Sequence, residues 1–152
     1  FYMSSMLEKY IIIRTTGLYG THLCRGKSSK NFVEMFLELI ENKEIIEFGG
    51  EEICTPTFTE NIAEQIKIII KKSEFGIFHA TSEGSCSWFE FGEEIIKKTN
   101  SITRLVKIKR KENASNIIRP KYTVLENKYL EDLGINRMLD WKVALSEYLK
   151  RR

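Results

Sequence analysis

Two short apolar runs without alternation predict the strands around which the chain is organised. Ile11 to Ile13 form the first run, within the stretch from Tyr10 to Gly20, and Gly76 to Thr81 form the second. A strand that is apolar on both faces is typical of a parallel sheet covered by helices. In open α/β sheets, ligands bind beyond the carboxyl ends of such strands. The turn Thr15-Thr16-Gly17 after the first run is therefore the predicted binding position.

Apolar residues at helical spacing predict the helices that cover these strands. The predicted helical segments are the tail of a helix at 6–9, then 31–43, 59–72, 87–99, 127–134 and 140–149. Thr59, Asn127 and Asp140 are predicted N-caps, and Ser87 with Glu90 form a predicted capping box. Further strands are predicted at 44–48 and near 105–108, and loops at 19–30 and 113–119. Together these elements indicate an α/β fold.

Composition and charge exclude several classes of protein. The chain has 152 residues, of which 42% are hydrophobic and 30% charged, as in an ordinary globular domain. The net charge of +3 comes from interspersed residues, so we expect no nucleic-acid partner. No apolar run approaches the roughly 20 residues of a membrane span, so we expect no membrane partner. Three cysteines in no metal-ligand spacing predict reduced thiols in a cytoplasmic protein and no metal site.

The beginning of the chain suggests that more sequence precedes it. It starts with Phe1-Tyr2-Met3 and enters a strand almost at once, and that strand needs neighbours on both sides. We therefore expect residues 1–152 to be the C-terminal portion of a longer protein.

Several segments, taken in order, resemble one family. The segment 13–20 resembles the sixth-strand motif of the extended short-chain dehydrogenases/reductases, and 55–63 resembles their proline-threonine loop and following helix. The segments 76–91 and 119–125 are similar to a later strand and helix and to an arginine-proline motif. The branch that the chain most resembles is that of the dTDP-4-dehydrorhamnose reductases. It departs from that branch at Gly17, Glu52 and Cys54, where relatives carry tryptophan, glutamine and glycine.

The resemblance implies the C-terminal part of a Rossmann-type parallel sheet plus a small α/β substrate-binding domain. It implies NADPH or NADH as cofactor, bound mainly by an absent N-terminal part that also supplies the catalytic tyrosine and lysine, so no catalytic residue is expected in this chain. The implied cofactor-binding residues are Thr15, Thr16 and Gly17, and the implied substrate-binding residues are Arg119, Thr57, Phe58 and Asn31. The implied partners are a nucleotide-diphosphate sugar and a second copy in a homodimer.

Each candidate residue also has a structural interpretation. For Arg119 a solvated or salt-bridged loop position fits the sequence nearly as well, but a planar guanidinium suits a diphosphate and the arginine-proline motif favours that role. Gly17 can serve only to permit a turn, Thr57 can be a loop residue beside a helix, and Asn31 can be a helix N-cap. His79 is predicted to be a hydrogen-bonded core histidine.

Three functions stay open at this point. The first is reduction of a 4-keto nucleotide sugar with NAD(P)H. The second is an epimerase or dehydratase of the same superfamily. The third is a non-catalytic regulatory subunit similar to that of methionine adenosyltransferase.

Overall fold

The computed structural model describes residues 2–22, 30–108 and 120–152. Its helices are α1 (Tyr2–Met6), α2 (Phe32–Asn42), α3 (Thr59–Lys72), α4 (Trp88–Thr99), α5 (Lys128–Asp132) and α6 (Trp141–Arg151). Its strands are β1 (Ile11–Arg14), β2 (Leu18–Tyr19), β3 (Ile45–Phe48), β4 (Ile53–Cys54), β5 (Thr57–Phe58), β6 (Gly76–His79), β7 (Cys86–Ser87) and β8 (Arg104–Lys107). The fold is α/β, as the apolar pattern predicts.

The described strands associate in pairs, most of them parallel. Strand β1 pairs with β6, β2 with β5 and β3 with β8 in parallel, whereas β4 and β7 are antiparallel. In the β1·β6 pair, Ile11 lies opposite Gly76 and Arg14 opposite His79. Both strands therefore end at the same edge, which is the edge where a parallel sheet binds ligands.

The described residues form two apolar cores. The larger core is aromatic and joins β2, β5 and helices α2, α4 and α6; its buried members include Tyr19, Phe36, Phe58, Phe91, Trp141 and Tyr148. The smaller core lies under β6 and includes Ile62, Ile69, Phe78, Ala80, Leu130, Ile135 and Met138. The helical aromatic residues Phe36, Phe91 and Trp141 are thus core residues.

One face of the β1·β6 pair is less covered than the other. Phe78 is fully buried in the smaller core, and Ile11 and Ile13 pack against that core. The alternate residue Ile77 stays 39% exposed on the opposite face, and its neighbour across the pair, Ile12, is only half-buried. The prediction that β1 is buried on both faces is therefore met on one face only among the described residues.

Two predicted helix starts are correct in detail. The Ser87 hydroxyl accepts a hydrogen bond from the Glu90 backbone N–H (3.1 Å), and the Glu90 carboxylate accepts one from the Ser87 N–H (2.7 Å). The bond from the Ser87 N–H, together with one from the Ser87 hydroxyl to the same carboxylate (2.9 Å), holds the pKa of the Glu90 carboxyl below its usual value. The Asp140 side chain accepts from the Lys142 N–H (2.8 Å) and caps α6.

Four local predictions are wrong. Helix α1 ends at Met6, so residues 7–9 are not helical. Residues 18–19, the second of which was predicted to begin a loop, form β2 because they pair with β5. Thr59 lies inside α3, whose N-cap is Phe58 with no side-chain cap bond. Asn127 precedes α5 but makes no cap bond, because its side chain is hydrogen-bonded elsewhere. The predicted loop 113–119 lies outside the described residues.

No helix in the described parts of the chain combines the length and apolar character needed to cross a membrane.

Candidate functional site

The turn after β1 and the segment 55–58, which we call the proline loop, are in direct backbone contact. The Thr57 N–H donates to the Gly17 carbonyl (3.0 Å), and the Ala80 N–H donates to the Arg14 carbonyl (3.0 Å). Gly17 has φ +60°, and a Cβ there would lie 2.7 Å from the Thr55 carbonyl oxygen. Because a Cβ at that distance would overlap the oxygen, the two segments approach this closely only through glycine.

The hydroxyls of the proline loop tie it to the turn after β6. The Thr57 hydroxyl donates to the Thr55 carbonyl (3.0 Å) and accepts from the Ser82 N–H (3.2 Å). The Thr55 hydroxyl donates to the Gly84 carbonyl (3.0 Å). Both threonines are fully buried. Three segments, 15–17, 55–58 and 81–84, therefore converge at the carboxyl edge of the β1·β6 pair.

A fourth segment, residues 120–127, contacts β4 at its start and β6 near its end, and we call it the strap. At its start the Lys121 carbonyl accepts from the Ile53 N–H (2.8 Å), and the Thr123 N–H donates to the Ile53 carbonyl (2.9 Å). Near its end, His79 Nδ1 lies 3.1 Å from the Glu126 carbonyl oxygen. The strap therefore joins β4, just before the proline loop, to the end of β6. The bond also confirms that His79 is a partnered histidine.

Asn127 fixes the end of the strap through three strong hydrogen bonds. Its side-chain oxygen accepts from the Thr81 N–H (3.0 Å), and its amide nitrogen donates to the Thr81 carbonyl (2.8 Å) and to Glu83 Oε1 (2.7 Å). The same Glu83 oxygen accepts from the Asn136 amide (2.7 Å). Asn127 is 1% exposed, so the loss of any one of these bonds would leave a buried polar group unpaired.

Phe58 and Asn31 contact residues of the larger, aromatic core. The Phe58 ring is fully buried, stacks on Tyr19 at 5.7 Å between centroids and meets the edge of Tyr148. Asn31 caps α2: its oxygen accepts from the Glu34 N–H (3.1 Å), while its amide donates to the Gly20 carbonyl (2.8 Å) and the Tyr148 hydroxyl (3.4 Å). The capping interpretation of Asn31 is confirmed, and a substrate contact by either residue stays a prediction.

Two hydroxyls at the edge have no hydrogen-bond partner among the described residues. They are the buried Oγ1 of Thr15, at the end of β1, and the buried Oγ of Ser82, after β6. Tyr19 also buries an unpartnered hydroxyl, and burial raises the pKa of this phenol far above its ordinary value. Tyr19 is therefore a core residue that stays protonated, and it is not a proton donor tuned to neutral pH.

The structure brings together the predicted residues Thr15, Thr16, Gly17, Thr57 and Phe58, whereas Arg119 lies outside the described residues. Thr55, Thr81, Ser82 and Asn127, none of which was predicted as a site residue, complete the convergence. A signal for two of these existed, because Thr81 and Ser82 end the second apolar run just as Thr15 and Thr16 end the first. Asn127 has no such signal, since its partners lie more than 40 positions away in sequence.

Within the described ranges, no group of three or more His, Cys, Asp or Glu side chains is arranged to hold a metal ion. The absence of a metal in the whole protein stays a prediction.

The family described as the RmlD substrate binding domain matches residues 2–152. The chain belongs to this family. It is 35% identical over 141 residues to the spore coat polysaccharide biosynthesis protein SpsK of Bacillus subtilis, an alignment that covers 93% of this chain and 47% of SpsK. It is 26% identical to a dTDP-4-keto-6-deoxy-D-glucose reductase of Streptomyces niveus, over 90% of this chain and 46% of that protein.

Solved structures of relatives have the same fold. A dTDP-4-dehydrorhamnose reductase from Bacillus anthracis in complex with NADP matches with a TM-score of 0.88 and 28% identity, over 99% of this chain and 52% of that one. An orthologue from Clostridium acetobutylicum matches with a TM-score of 0.87 and 29% identity, over 99% and 51% of the two chains. The chain thus spans about half the length of the relatives it matches.

Proposed function

We propose that the full-length protein reduces a 4-keto nucleotide sugar with NADPH or NADH, and that residues 1–152 are its substrate-binding portion. The observation that carries the proposal is the backbone contact of Gly17 with the proline loop at the carboxyl edge of the β1·β6 pair. It places the predicted cofactor-binding turn and the predicted substrate loop side by side. Transfer of a hydride requires that arrangement, because the reacting carbons of cofactor and substrate must lie in contact.

The partly covered face of the β1·β6 pair supports a two-part protein. Among the described strands, β1 pairs with β6 on one edge, and Ile77 is exposed on the face away from the smaller core. Parallel sheets are stable when helices cover both faces. We propose that the N-terminal portion continues the sheet beyond β1 and covers this face. The relatives, which are about twice as long, are consistent with this arrangement.

The residues at the end of β1 fit part of a nicotinamide cofactor. The Thr15 hydroxyl is buried with no hydrogen-bond partner among the described residues, and the proline loop closes the Cβ side of Gly17. When bound, the cofactor supplies the hydride. In this proposal Thr15 offers a hydrogen bond, and Thr16 and Gly17 shape the wall beside the nicotinamide. The diphosphate and adenosine ends, together with the proton donor, are assigned to the N-terminal portion.

The strap supports a diphosphate-binding role for Arg119. Lys121, two residues later, is hydrogen-bonded to Ile53 of β4, just before the proline loop. An arginine guanidinium can bind two phosphate oxygens in bidentate fashion, and in this proposal Arg119 does so while the sugar extends toward Thr57. Thr57 and Asn31 use their side-chain groups internally in the described residues, so their proposed contribution to the substrate is the shape of the pocket.

The test is an assay of the full-length protein with a dTDP-4-keto-6-deoxy sugar. We expect NADPH or NADH to be oxidised and the 4-keto group to become a hydroxyl. Interconversion of sugars without net use of the nicotinamide cofactor indicates an epimerase or dehydratase instead. No turnover, combined with retained cofactor binding, favours a regulatory subunit. Either of the last two outcomes overturns the reductase proposal.

Arg119→Ala is expected to raise the KM for the nucleotide sugar about tenfold or more, because a bidentate charge-assisted contact to phosphate is lost. The Kd of the dinucleotide should stay unchanged, since the contact is with the sugar substrate. Arg104→Ala, an exposed arginine on β8, is the matched control and should leave both constants as in the wild type. An unchanged KM for Arg119→Ala removes this residue from the site.

A further inference from the structure

Cys54 and Cys86 lie directly opposite each other on adjacent antiparallel strands. Strand β4 pairs with β7 so that Ile53 faces Ser87 and Cys54 faces Cys86. Cross-strand partners project from the same face of a ladder. Both cysteines are free thiols with 2% and 4% exposure. The two sulfur atoms are therefore enclosed together on the inner face of this short ladder.

The register determines how far apart the two backbones are. The Trp88 N–H donates to the Glu52 carbonyl (3.3 Å), so the pair 52/88 is hydrogen-bonded. Hydrogen-bonded and non-hydrogen-bonded pairs alternate, which makes 54/86 a hydrogen-bonded pair with a typical Cα separation of about 5.5 Å. Disulfide-linked residues have Cα atoms about 4.4–6.8 Å apart. The Cα separation therefore falls within the disulfide range. The Cβ atoms of a hydrogen-bonded pair are about 5.5 Å apart, whereas a disulfide requires about 3.5–4.5 Å, so the two strands must shift toward each other by about 1 Å when the bridge forms.

We propose that Cys54 and Cys86 form a reversible dithiol–disulfide pair that reacts with low-molecular-weight disulfides such as oxidised glutathione. One cysteine thiolate attacks the small disulfide, forms a mixed disulfide and releases one small thiol. The second cysteine thiolate then displaces the other small thiol and closes the Sγ–Sγ bond. In total the two cysteines lose two protons and two electrons, and the oxidant is reduced to two thiols. The proposal does not depend on the proposed function.

The environment of the pair makes the exchange slow in the closed ladder. Burial, with a smaller contribution from the Glu52 carboxylate, raises the pKa of the Cys54 thiol to about 12. Burial, followed by the neighbouring Cys54 and the Glu90 carboxylate, also raises the pKa of the Cys86 thiol. Few thiolates are then present at neutral pH, so the reaction proceeds when the two-residue ladder opens locally. Thiolates of such high pKa are poor leaving groups, so reduction of the bridge is slow as well.

Formation of the bridge would constrain the site loops. Cys54 directly precedes Thr55, whose hydroxyl donates to Gly84, and Cys86 follows Gly84 by two residues. A covalent link between β4 and β7 therefore fixes the proline loop to the turn after β6 at a second point. Reduced and oxidised protein would differ in the freedom of this loop.

The test uses the full-length protein in mixtures of oxidised and reduced glutathione. After an acid quench, free thiols are alkylated under denaturing conditions, and the peptides are identified by mass spectrometry. We expect a peptide pair joined through Cys54 and Cys86, with a loss of two hydrogen atoms, in a fraction that rises with the oxidised share and returns to zero in dithiothreitol.

Cys24→Ser is the matched control and should form the same bridge, whereas Cys54→Ser and Cys86→Ser should not form it. The proposal is overturned if wild-type protein shows both cysteines alkylated at every ratio, a glutathione adduct on one of them without a bridge, or a bridge of either one to another cysteine. Because the decisive measurement is made on the wild type, it does not depend on whether the variants fold.

Discussion

Gly17→Ala is expected to lower the free energy of unfolding by about 2–5 kcal/mol. A non-glycine residue in the left-handed region costs about 1–2 kcal/mol. The new methyl group also meets the Thr55 carbonyl oxygen at 2.7 Å and the Pro56 Cα at 3.0 Å, and both are backbone atoms. Relief of this overlap must separate the two segments, which adds a cost of about 1–3 kcal/mol, as overpacking does elsewhere.

Gly134→Ala is the matched control for this change. Gly134 has a similar φ of +66°, but a Cβ there meets no atom within 4 Å. This variant should lose only the conformational part, about 1–2 kcal/mol. Urea denaturation measures the loss in free energy of unfolding for each variant relative to the wild type. The difference between the two losses is the cost of the contact with the proline loop. Equal losses would show that the loop moves away without cost and that the close approach has no structural importance.

The apolar pattern predicted the larger elements well because their signal is local. Helices α2, α3, α4 and α6 each bury a stripe at helical spacing, and β1 and β6 are apolar runs that end in polar turns. These elements need no knowledge of distant partners. The contact between the predicted cofactor-binding turn and the proline loop has a different origin, because the loop follows β4, which is antiparallel to β7, and reaches the turn through the β2·β5 pairing.

The features that were not predicted depend on pairing between strands that are far apart in the sequence. Strands β2 and β5 have two residues each, which is too short for any periodicity, and they exist only because Leu18 and Tyr19 pair with Thr57 and Phe58. The opposition of Cys54 and Cys86 likewise follows from the register of β4 and β7, which no local spacing indicates. Short strands of this kind become visible only when the fold is known.

Caps illustrate how one residue type serves two roles. Asn31 and Asn127 both precede a helix, and asparagine is favoured at that position. Asn31 makes the expected cap bond, whereas Asn127 directs its amide to Thr81 and Glu83 and leaves the start of α5 without a side-chain cap. The difference is that α5 begins beside Thr81, two residues after β6, whose buried backbone N–H and carbonyl pair with the Asn127 side chain.

Asn127→Asp is expected to lower the free energy of unfolding by about 3–4 kcal/mol at neutral pH. The new side chain can still accept from the Thr81 N–H, but it loses both donated bonds, to the Thr81 carbonyl and to Glu83. It also places a second carboxylate against that of Glu83 at a position that is 1% exposed. Lost buried hydrogen bonds and an unpaired buried charge are among the costliest effects of single substitutions.

Asn42→Asp is the matched control, since the same atoms change at an exposed site where the Asn42 amide donates to the Glu38 carbonyl (2.8 Å). Its loss should stay below about 1 kcal/mol, the net value of a single hydrogen bond. A second substitution, Glu83→Gln, combined with Asn127→Asp, should recover part of the loss, because it removes the like charge and provides an amide donor. No recovery in the double variant would show that the two carboxyl groups do not interact.

The pH dependence of Asn127→Asp separates the charge from the lost donors. Burial and the neighbouring carboxylate raise the pKa of the introduced carboxyl in the folded protein above the value of about 3.9 in the unfolded chain. Below about pH 4 this carboxyl is protonated in both states, so the deficit relative to the wild type is smallest there. The deficit grows as pH rises above the unfolded-state pKa and becomes constant once the carboxyl ionises in the folded state as well. Urea denaturation of both proteins across this range measures the change, and a deficit independent of pH would assign the whole cost to the two lost amide bonds.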